Sequence, residues 1–240
     1  MDNKLMNKLL KAQINAFGQA EISVTGVSMN PNLFEGNRIT VSSCENYISG
    51  DILVFKYKQD ELLVHRLIYI KEEKYFCKGD NSFRLEDITK DQIIGKVILV
   101  DGNKLVPCTD RILQFSYLVN REFVKCRYDT AKTKQSDIYQ LYQKVILGKE
   151  DDIMIYKKNE TMDYIQSDET SLAVFDPDTG DTHFFDETGI DILDLLSEPR
   201  DLDSLLKKLC EIYSVTKDEI RADVEEFLAD TISKKVVEEI

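Results

Sequence analysis

The groups with which this chain could do chemistry are few and well separated. Ser28 sits in VTGVSMNPNLFEGN, His65 in the apolar run LLVHRLIYI, Asp80 in KGDN, and Asp87 a short way beyond. A serine hydroxyl is a poor nucleophile at neutral pH and needs an adjacent base. Histidine can take the hydroxyl proton and return it to a leaving amine, while a carboxylate fixes the ring's tautomer. Each residue also has a plain structural reading. A lone strand histidine is ordinarily a hydrogen-bonded structural residue. Ser28 before Pro31 suits a turn, and so does Asp80 in KGDN. His183, before two phenylalanines, reads as structural. The five cysteines are scattered and never in CxxC spacing, so neither a disulfide framework nor a thiolate zinc site is expected. No cofactor or metal is called for.

These residues must be positioned by the elements around them. Lys4 to Phe17 places Leu5, Leu9, Ile14 and Phe17 among Lys and Gln, an amphipathic helix ending at Gly18. From Ile22 to Val106 the runs RITVSS, DILVFKYK, ELLVHRLIYI, KYFCKG and KVILVD alternate with turn sequences. This predicts an all-β, barrel-like domain. Residues 108–152 hold two helix-length apolar patterns around TAKTKQSD, a helical connector ending in the charged run 149–152. The remaining residues predict strands at Ile153–Tyr156, Asp163–Gln166, Leu172–Phe175 and Thr182–Phe185, with DPDTGD as a hairpin turn. Helical patterns come next at Thr188–Leu196, Asp201–Tyr213 and Thr216–Ile232. Asp201 and Thr216 fit as N-caps, the latter in a capping box with Glu219. The expected division is a helix over 1–20, a β domain over 21–107, the connector over 108–152, and an α+β winged domain over 153–240.

Charge divides the chain in the same place. Residues 1–150 carry 22 basic against 19 acidic side chains, and residues 151–240 carry 9 against 25. So strongly acidic a second half argues against nucleic acid, since phosphate binding needs a cationic surface. No run of about 18 apolar residues is present to span a bilayer. The N-terminal residues lack the apolar core of a signal peptide, so a cytoplasmic location is expected.

In combination the segments say more. Gly26-Val27-Ser28-Met29-Asn30-Pro31, Gly50-Asp51-Ile52-Leu53-Val54-Phe55, His65-Arg66-Leu67-Ile68, and Lys78-Gly79-Asp80-Asn81 with Asp87 and Ile94-Gly95-Lys96-Val97 occur in that order. Together they resemble the signal peptidase I superfamily, whose fold is shared by LexA-type repressors. Histidine at position 65 looks like the Ser-His branch found in the endoplasmic reticulum and some Gram-positive and archaeal enzymes. The resemblance implies Ser28 as nucleophile, His65 as base, Met29 as a substrate contact, and Asp87 as the third member because it matches the second acidic position. Asp80 is the rival. Gly36-Asn37 stands where the family has Gly-Asp, and a short helix stands where it has a membrane anchor. The expected substrate is therefore a cytosolic peptide, unless activity has been lost.

Residues 153–240 resemble the PqqD family, also called RiPP recognition elements. The likeness runs through Phe175-Asp176, His183 to Gly189, Ile192 to Leu196, and Asp223-Val224-Glu225-Glu226-Phe227-Leu228. Family members bind the leader of a precursor peptide as an added strand between a sheet edge and the last helix. The resemblance implies that groove along Leu172, Ala173, Val174 and Phe175, with Asp223 and Phe227 on the helix. The two resemblances together imply a serine endopeptidase that binds a leader and removes it. A non-catalytic scaffold presenting the precursor to a radical-SAM or other modifying enzyme is the competing expectation. A self-cleaving repressor of the LexA type is disfavoured, since those use lysine as base and carry a basic DNA-binding domain.

Overall fold

The computed structural model describes residues 3–58, 61–147, 153–168 and 170–240. The charged run 149–152 lies outside them. The chain forms two compact units, Met1–Lys149 and Glu150–Ile240.

The first unit opens with α1 (Asn3–Phe17), which ends where Gly18 adopts a positive φ of 76°. Its Leu10 and Ile14 are buried, while Leu9 on the adjoining face stays exposed. Eight strands form one antiparallel sheet: β1 (Gln19–Ser23), β2 (Arg38–Ser42), β3 (Ile52–Tyr57), β4 (Glu61–Lys71), β5 (Lys74–Lys78), β6 (Glu86–Ile88), β7 (Ile93–Val100) and β8 (Asn103–Lys104). Their order is β1-β2-β7-β3-β4-β5-β6, with β8 on β7. Both faces of the sheet are covered. Ile39, Val41, Ile52, Val54 and Val97 pack with Leu10, Ile14, Met29 and Leu33. Leu53, Phe55, Leu67, Cys77 and Ile88 form a separate cluster. Burial on both faces explains why β3 reads as a continuous apolar run, ILVF, rather than an alternating one.

Three helices close this unit: α2 (Asp110–Lys125), α3 (Thr130–Gln135) and α4 (Asp137–Ile146). Thr109, Asp129 and Ser136 cap them, each side chain accepting from backbone N–H groups of the first turn. The segment expected to connect two modules is packed into the first one. The Phe83 ring lies 5.4 Å from those of Phe123 and Tyr139, and Asn120 Nδ2 donates to the Phe83 carbonyl at 2.9 Å.

The second unit contains β9 (Ile155–Lys158), β10 (Asp163–Asp168), β11 (Ser171–Phe175), β12 (Thr182–Phe185), α5 (Glu187–Leu195), β13 (Arg200–Asp201), α6 (Leu202–Tyr213), α7 (Lys217–Ser233) and β14 (Val237–Glu239). Strands β10-β11-β12 form one antiparallel sheet and β13-β9-β14 a second. Asp201 caps α6, and Thr216 with Glu219 forms the capping box of α7. The core gathers Leu172, Val174, Ile192, Leu193, Leu205, Leu206, Val224 and Leu228. Strands β13 and β14 are too short to leave a periodic trace, and sequence reading does not find them.

Candidate active site

The loop between β1 and β2 carries Ser28. Gly26 turns the chain with a φ of 84°, and buried Met29 and Leu33 anchor the rest of the loop, Leu33 N–H donating to the Met29 carbonyl at 2.9 Å. His65 comes from β4, directly opposite Leu53 of β3, and is 4% exposed. Its Nε2 lies 3.1 Å from Ser28 Oγ, and its Nδ1 lies 2.9 Å from Glu86 Oε2. A carboxylate on Nδ1 selects the tautomer protonated there. Nε2 is then the free lone pair that accepts the Ser28 hydroxyl proton. Phe55 packs edge-on against the ring.

The carboxylate is not the one expected. Asp87 points to solvent and pairs with Lys74 at 3.2 Å. Glu86, one residue earlier on β6, is buried and faces His65. The reason is strand geometry: successive side chains leave a strand on opposite faces, so residues 86 and 87 cannot both look inward. Ile88, 1% exposed, must face the core, and Glu86 shares its face. The run E-D-I therefore holds the clue.

Asp80 does not touch His65 either. It is 1% exposed and grips Arg66 bidentately, accepting from Nε at 2.9 Å and Nη2 at 2.8 Å, while Asn32 Nδ2 donates to it at 2.8 Å. Burial alone would lower the Arg66 pKa, but the hydrogen bonds and charge of Asp80 hold it above its ordinary range. Asn32 belongs to the Ser28 loop, so Asp80 ties that loop to β4. Its neighbours do the same. Asn81 N–H donates to the Ser28 carbonyl at 2.7 Å, and Asn81 Nδ2 to the Val27 carbonyl at 3.2 Å. Gly79 is obligatory: a Cβ there would stand 2.6 Å from the Ser28 carbonyl oxygen and 2.9 Å from His65 Nε2. The Ser28 N–H has no acceptor within the protein among the described residues. It is free to donate to an oxyanion.

One participant comes from far away in the sequence. Tyr142 of α4 is fully buried, and its hydroxyl donates to the Asp80 carbonyl at 2.6 Å. Ser116 Oγ and Lys78 Nζ approach the same hydroxyl at 3.3 and 3.4 Å. Burial pushes the Tyr142 pKa well up, which keeps the hydroxyl a donor. Burial also pushes the Lys78 ammonium down to about 8, against the opposing pull of Asp80 and Glu86. Sequence reading has no means of finding Tyr142, since nothing local distinguishes it from any other helix tyrosine.

A cleft of about 670 Å³ adjoins the nucleophile, and Ser28 is part of its lining. Its walls are Ser23–Thr25, Leu62–Val64 of β4, and Leu9, Leu10 and Gln13 of α1. Residues 61–64 pair with β3 on one edge, and β5 begins pairing only at Arg66, which leaves their other edge open among the described residues. Among the same residues β1 likewise pairs only with β2. Met29 contributes to the cleft floor but is 2% exposed, chiefly a core residue.

In the second unit the expected groove needs correction. β11 is paired on both sides, with β10 and with β12, so Leu172, Ala173, Val174 and Phe175 offer no free edge to an added strand. Leu172 and Val174 are core residues. Among the described residues, the edges of this sheet that remain open are those of β10 and β12. Phe185 of β12 meets Phe227 of α7 edge-on at 5.9 Å. Asp223 and Phe227 come together with Gly189, Ile192 and Tyr213 around an apolar hollow of about 320 Å³. Among the described residues, no three His, Cys, Asp or Glu side chains stand where they could hold a metal ion. None of the described helices is long and apolar enough to cross a membrane.

Comparison with known proteins finds a family match in each half of the chain. Residues 8–98 match the family described as Peptidase S24-like, and residues 171–237 match Coenzyme PQQ synthesis protein D (PqqD). A solved structure, TbiB1 in complex with the TbiA(beta) leader peptide, is 23% identical, with 34% of this chain and 94% of that chain covered and a TM-score of 0.32. No curated protein matches the chain.

Proposed function

From a chain that joins a Peptidase S24-like region to a PqqD region, we propose a serine endopeptidase that captures the leader of a ribosomally made precursor peptide and cleaves it. The observation that carries this reading is the continuous chain Ser28 Oγ, His65 Nε2, His65 Nδ1, Glu86 Oε2, at 3.1 and 2.9 Å. A protein that only presents precursors to another enzyme has no use for such an array, in which a buried histidine and carboxylate stand behind a serine hydroxyl at a cleft.

The chemistry is set by those contacts. His65 Nε2 accepts the Ser28 proton as Oγ attacks the scissile carbonyl carbon, and Glu86 stabilises the imidazolium that results. The Ser28 N–H donates to the oxyanion, a contribution of about 3 kcal/mol where such donors have been removed elsewhere. Collapse expels the amine, which takes the proton from His65 and leaves an acyl ester on Ser28. Water, deprotonated by the same histidine, hydrolyses it. The substrate lies extended between the open edges of β1 and of residues 61–64 in β4, with its backbone satisfied by both.

The leader is held by the second unit, as an added strand on the edge of β12 beside α7. Exposed Phe184 and the hollow at Asp223 and Phe227 supply the side-chain contacts. Tethering then raises the local concentration of the scissile bond, to millimolar order for short flexible links. The direct test is co-expression with precursor peptides, read by mass spectrometry for leader loss, together with labelling by a fluorophosphonate serine probe. Cleavage and labelling that vanish in Ser28→Ala support the reading. Precursor binding with neither would favour the presenting scaffold and a partner such as a radical-SAM enzyme.

A further inference from the structure

The cleft at Ser28 is built to choose among peptides, and its lining says which. Next to the nucleophile it is apolar: Leu62, Val64, Val24 and the exposed face of α1 at Leu9. Leu9 is 55% exposed in the free protein, an apolar side chain that is unfavourable in water and gains once an apolar ligand covers it. Farther out the chemistry changes. Among the described residues, the ionisable side chains in the lining are Glu21 and Glu61. Both are exposed, and neither carboxylate has an ion-pair or hydrogen-bond partner among the described residues. Asp51, Asp80 and Asp87 of this unit are paired, with Lys96, Arg66 and Lys74, whereas exposed Glu35, Glu45, Glu72 and Glu73 are, among the described residues, as unpaired as Glu21 and Glu61; what distinguishes these two is their place in the cleft lining. Of the α1 lysines with described side chains, Lys8 is outside the lining and Lys11 donates to the Asp91 carbonyl.

The position of this charge along the cleft can be read from the strands. Glu61 precedes His65 by four residues on β4, about 13 Å at about 3.3 Å per residue. A peptide lying extended beside that strand, with its scissile bond at Ser28, brings a residue about four positions from the bond to Glu61, and Glu21 adds a second carboxylate to the same cleft. We infer that the cleft selects a segment that is apolar beside the scissile bond and carries a Lys or Arg about four residues from it. This rests on the peptidase reading and adds its substrate class. The recognition is electrostatic at an exposed rim, so it discriminates modestly, by about fivefold per charge.

Full-length protein incubated with a degenerate peptide library, its products sequenced by mass spectrometry, tests the inference. The expected result is enrichment of Lys and Arg at one position about three to five residues from the cut, with apolar residues between. Glu61→Lys combined with Glu21→Gln should invert that preference toward Asp and Glu, with an unchanged melting temperature as the check on folding. A flat charge profile, or the same profile in the variant, overturns it. Binding by the Ser28→Ala chain separates this from the peptidase reading. A fluorescent apolar peptide with one Lys should bind more tightly than its Gln counterpart, and that gap should close in Glu21→Gln/Glu61→Gln. A gap without any cleavage by the parent chain keeps the charge selection and removes the peptidase; cleavage without a gap does the reverse. Neither a gap nor cleavage overturns both.

Discussion

The two units bury their ionisable groups in different ways. In the first, buried polar side chains join residues far apart in sequence: Ser28 to His65, His65 to Glu86, Arg66 to Asp80, Tyr142 to Asp80. In the second, the buried carboxylates serve their immediate neighbours. Asp201 accepts from Ser204 N–H and Asp176 from Asp178 N–H. A local cap steadies one helix or turn. A long-range ionic network costs desolvation at every member and repays it only when all are satisfied. Among the described residues such a network of buried ionisable groups belongs to the first unit, and under the proposed mechanism it holds the geometry that the chemistry needs. The second unit offers strand edges and an apolar hollow suited to binding.

The largest expected effect tests that division outright. Ser28→Ala and His65→Ala should each lower precursor cleavage on the order of 10⁴-fold, and the double variant should be no worse than either, because the pair acts as one unit. Leader affinity, measured by calorimetry on the full chain, should not change. Loss of leader binding in Ser28→Ala would show that the two units do not divide the work in this way.

The next concerns which carboxylate belongs to the network. Glu86→Gln should reduce kcat by about 10²- to 10⁴-fold with little change in KM, since it removes the group that orients and stabilises the histidine. Asp87→Asn should change kcat by less than about twofold, its ion pair being exposed. The reverse ranking in steady-state kinetics would restore Asp87 as the third member.

Lys78 gives the network a signature in pH. Its pKa is lowered by burial to about 8, so the unfolded chain binds the proton more tightly than the folded one. The Lys78 contribution to stability should therefore rise as pH increases from about 8 toward the ordinary lysine value, by up to about 3 kcal/mol, against the loss from buried thiols and tyrosines whose pKa values burial raises. Denaturant unfolding of the parent chain and Lys78→Met across this range should show the parent gaining stability relative to the variant as pH rises. Parallel curves would mean the lysine is not held in a desolvated, charged state.

The smallest effects contrast a distant contact with a local one. Tyr142→Phe should cost about 1 kcal/mol of stability and lower kcat about tenfold, because the Asp80 carbonyl loses its donor beside the Ser28 loop. Asp201→Ala should cost a similar amount, about 1 kcal/mol, from the loss of a helix cap, and leave kcat on short peptides unaltered. Equal kinetic effects of the two would erase the difference between the network and the caps.

Much of the architecture is legible in the amino-acid sequence. The α1 stop at Gly18, the Asp201 cap and the Thr216–Glu219 capping box are short-range relations written in neighbouring residues. Ser28 and His65 are recognisable because the loop and strand residues around them form contiguous blocks. The features that depend on tertiary structure are of another kind. That the inward face shared by Glu86 and Ile88 brings Glu86 beside the histidine is decided by the register of β6 against β5, where Cys77 opposes Glu86 and Phe76 opposes Asp87. Whether β11 is an edge is decided by which strands flank it. That Tyr142 reaches a carbonyl 62 residues away, beside the Ser28 loop, is decided by how α4 docks on the sheet. Sequence periodicity reports the face a residue shares with its near neighbours, within a turn of helix or two residues of strand. It carries no record of which distant backbone that face will meet, because docking is set by the summed burial of whole elements and not by any one residue in them.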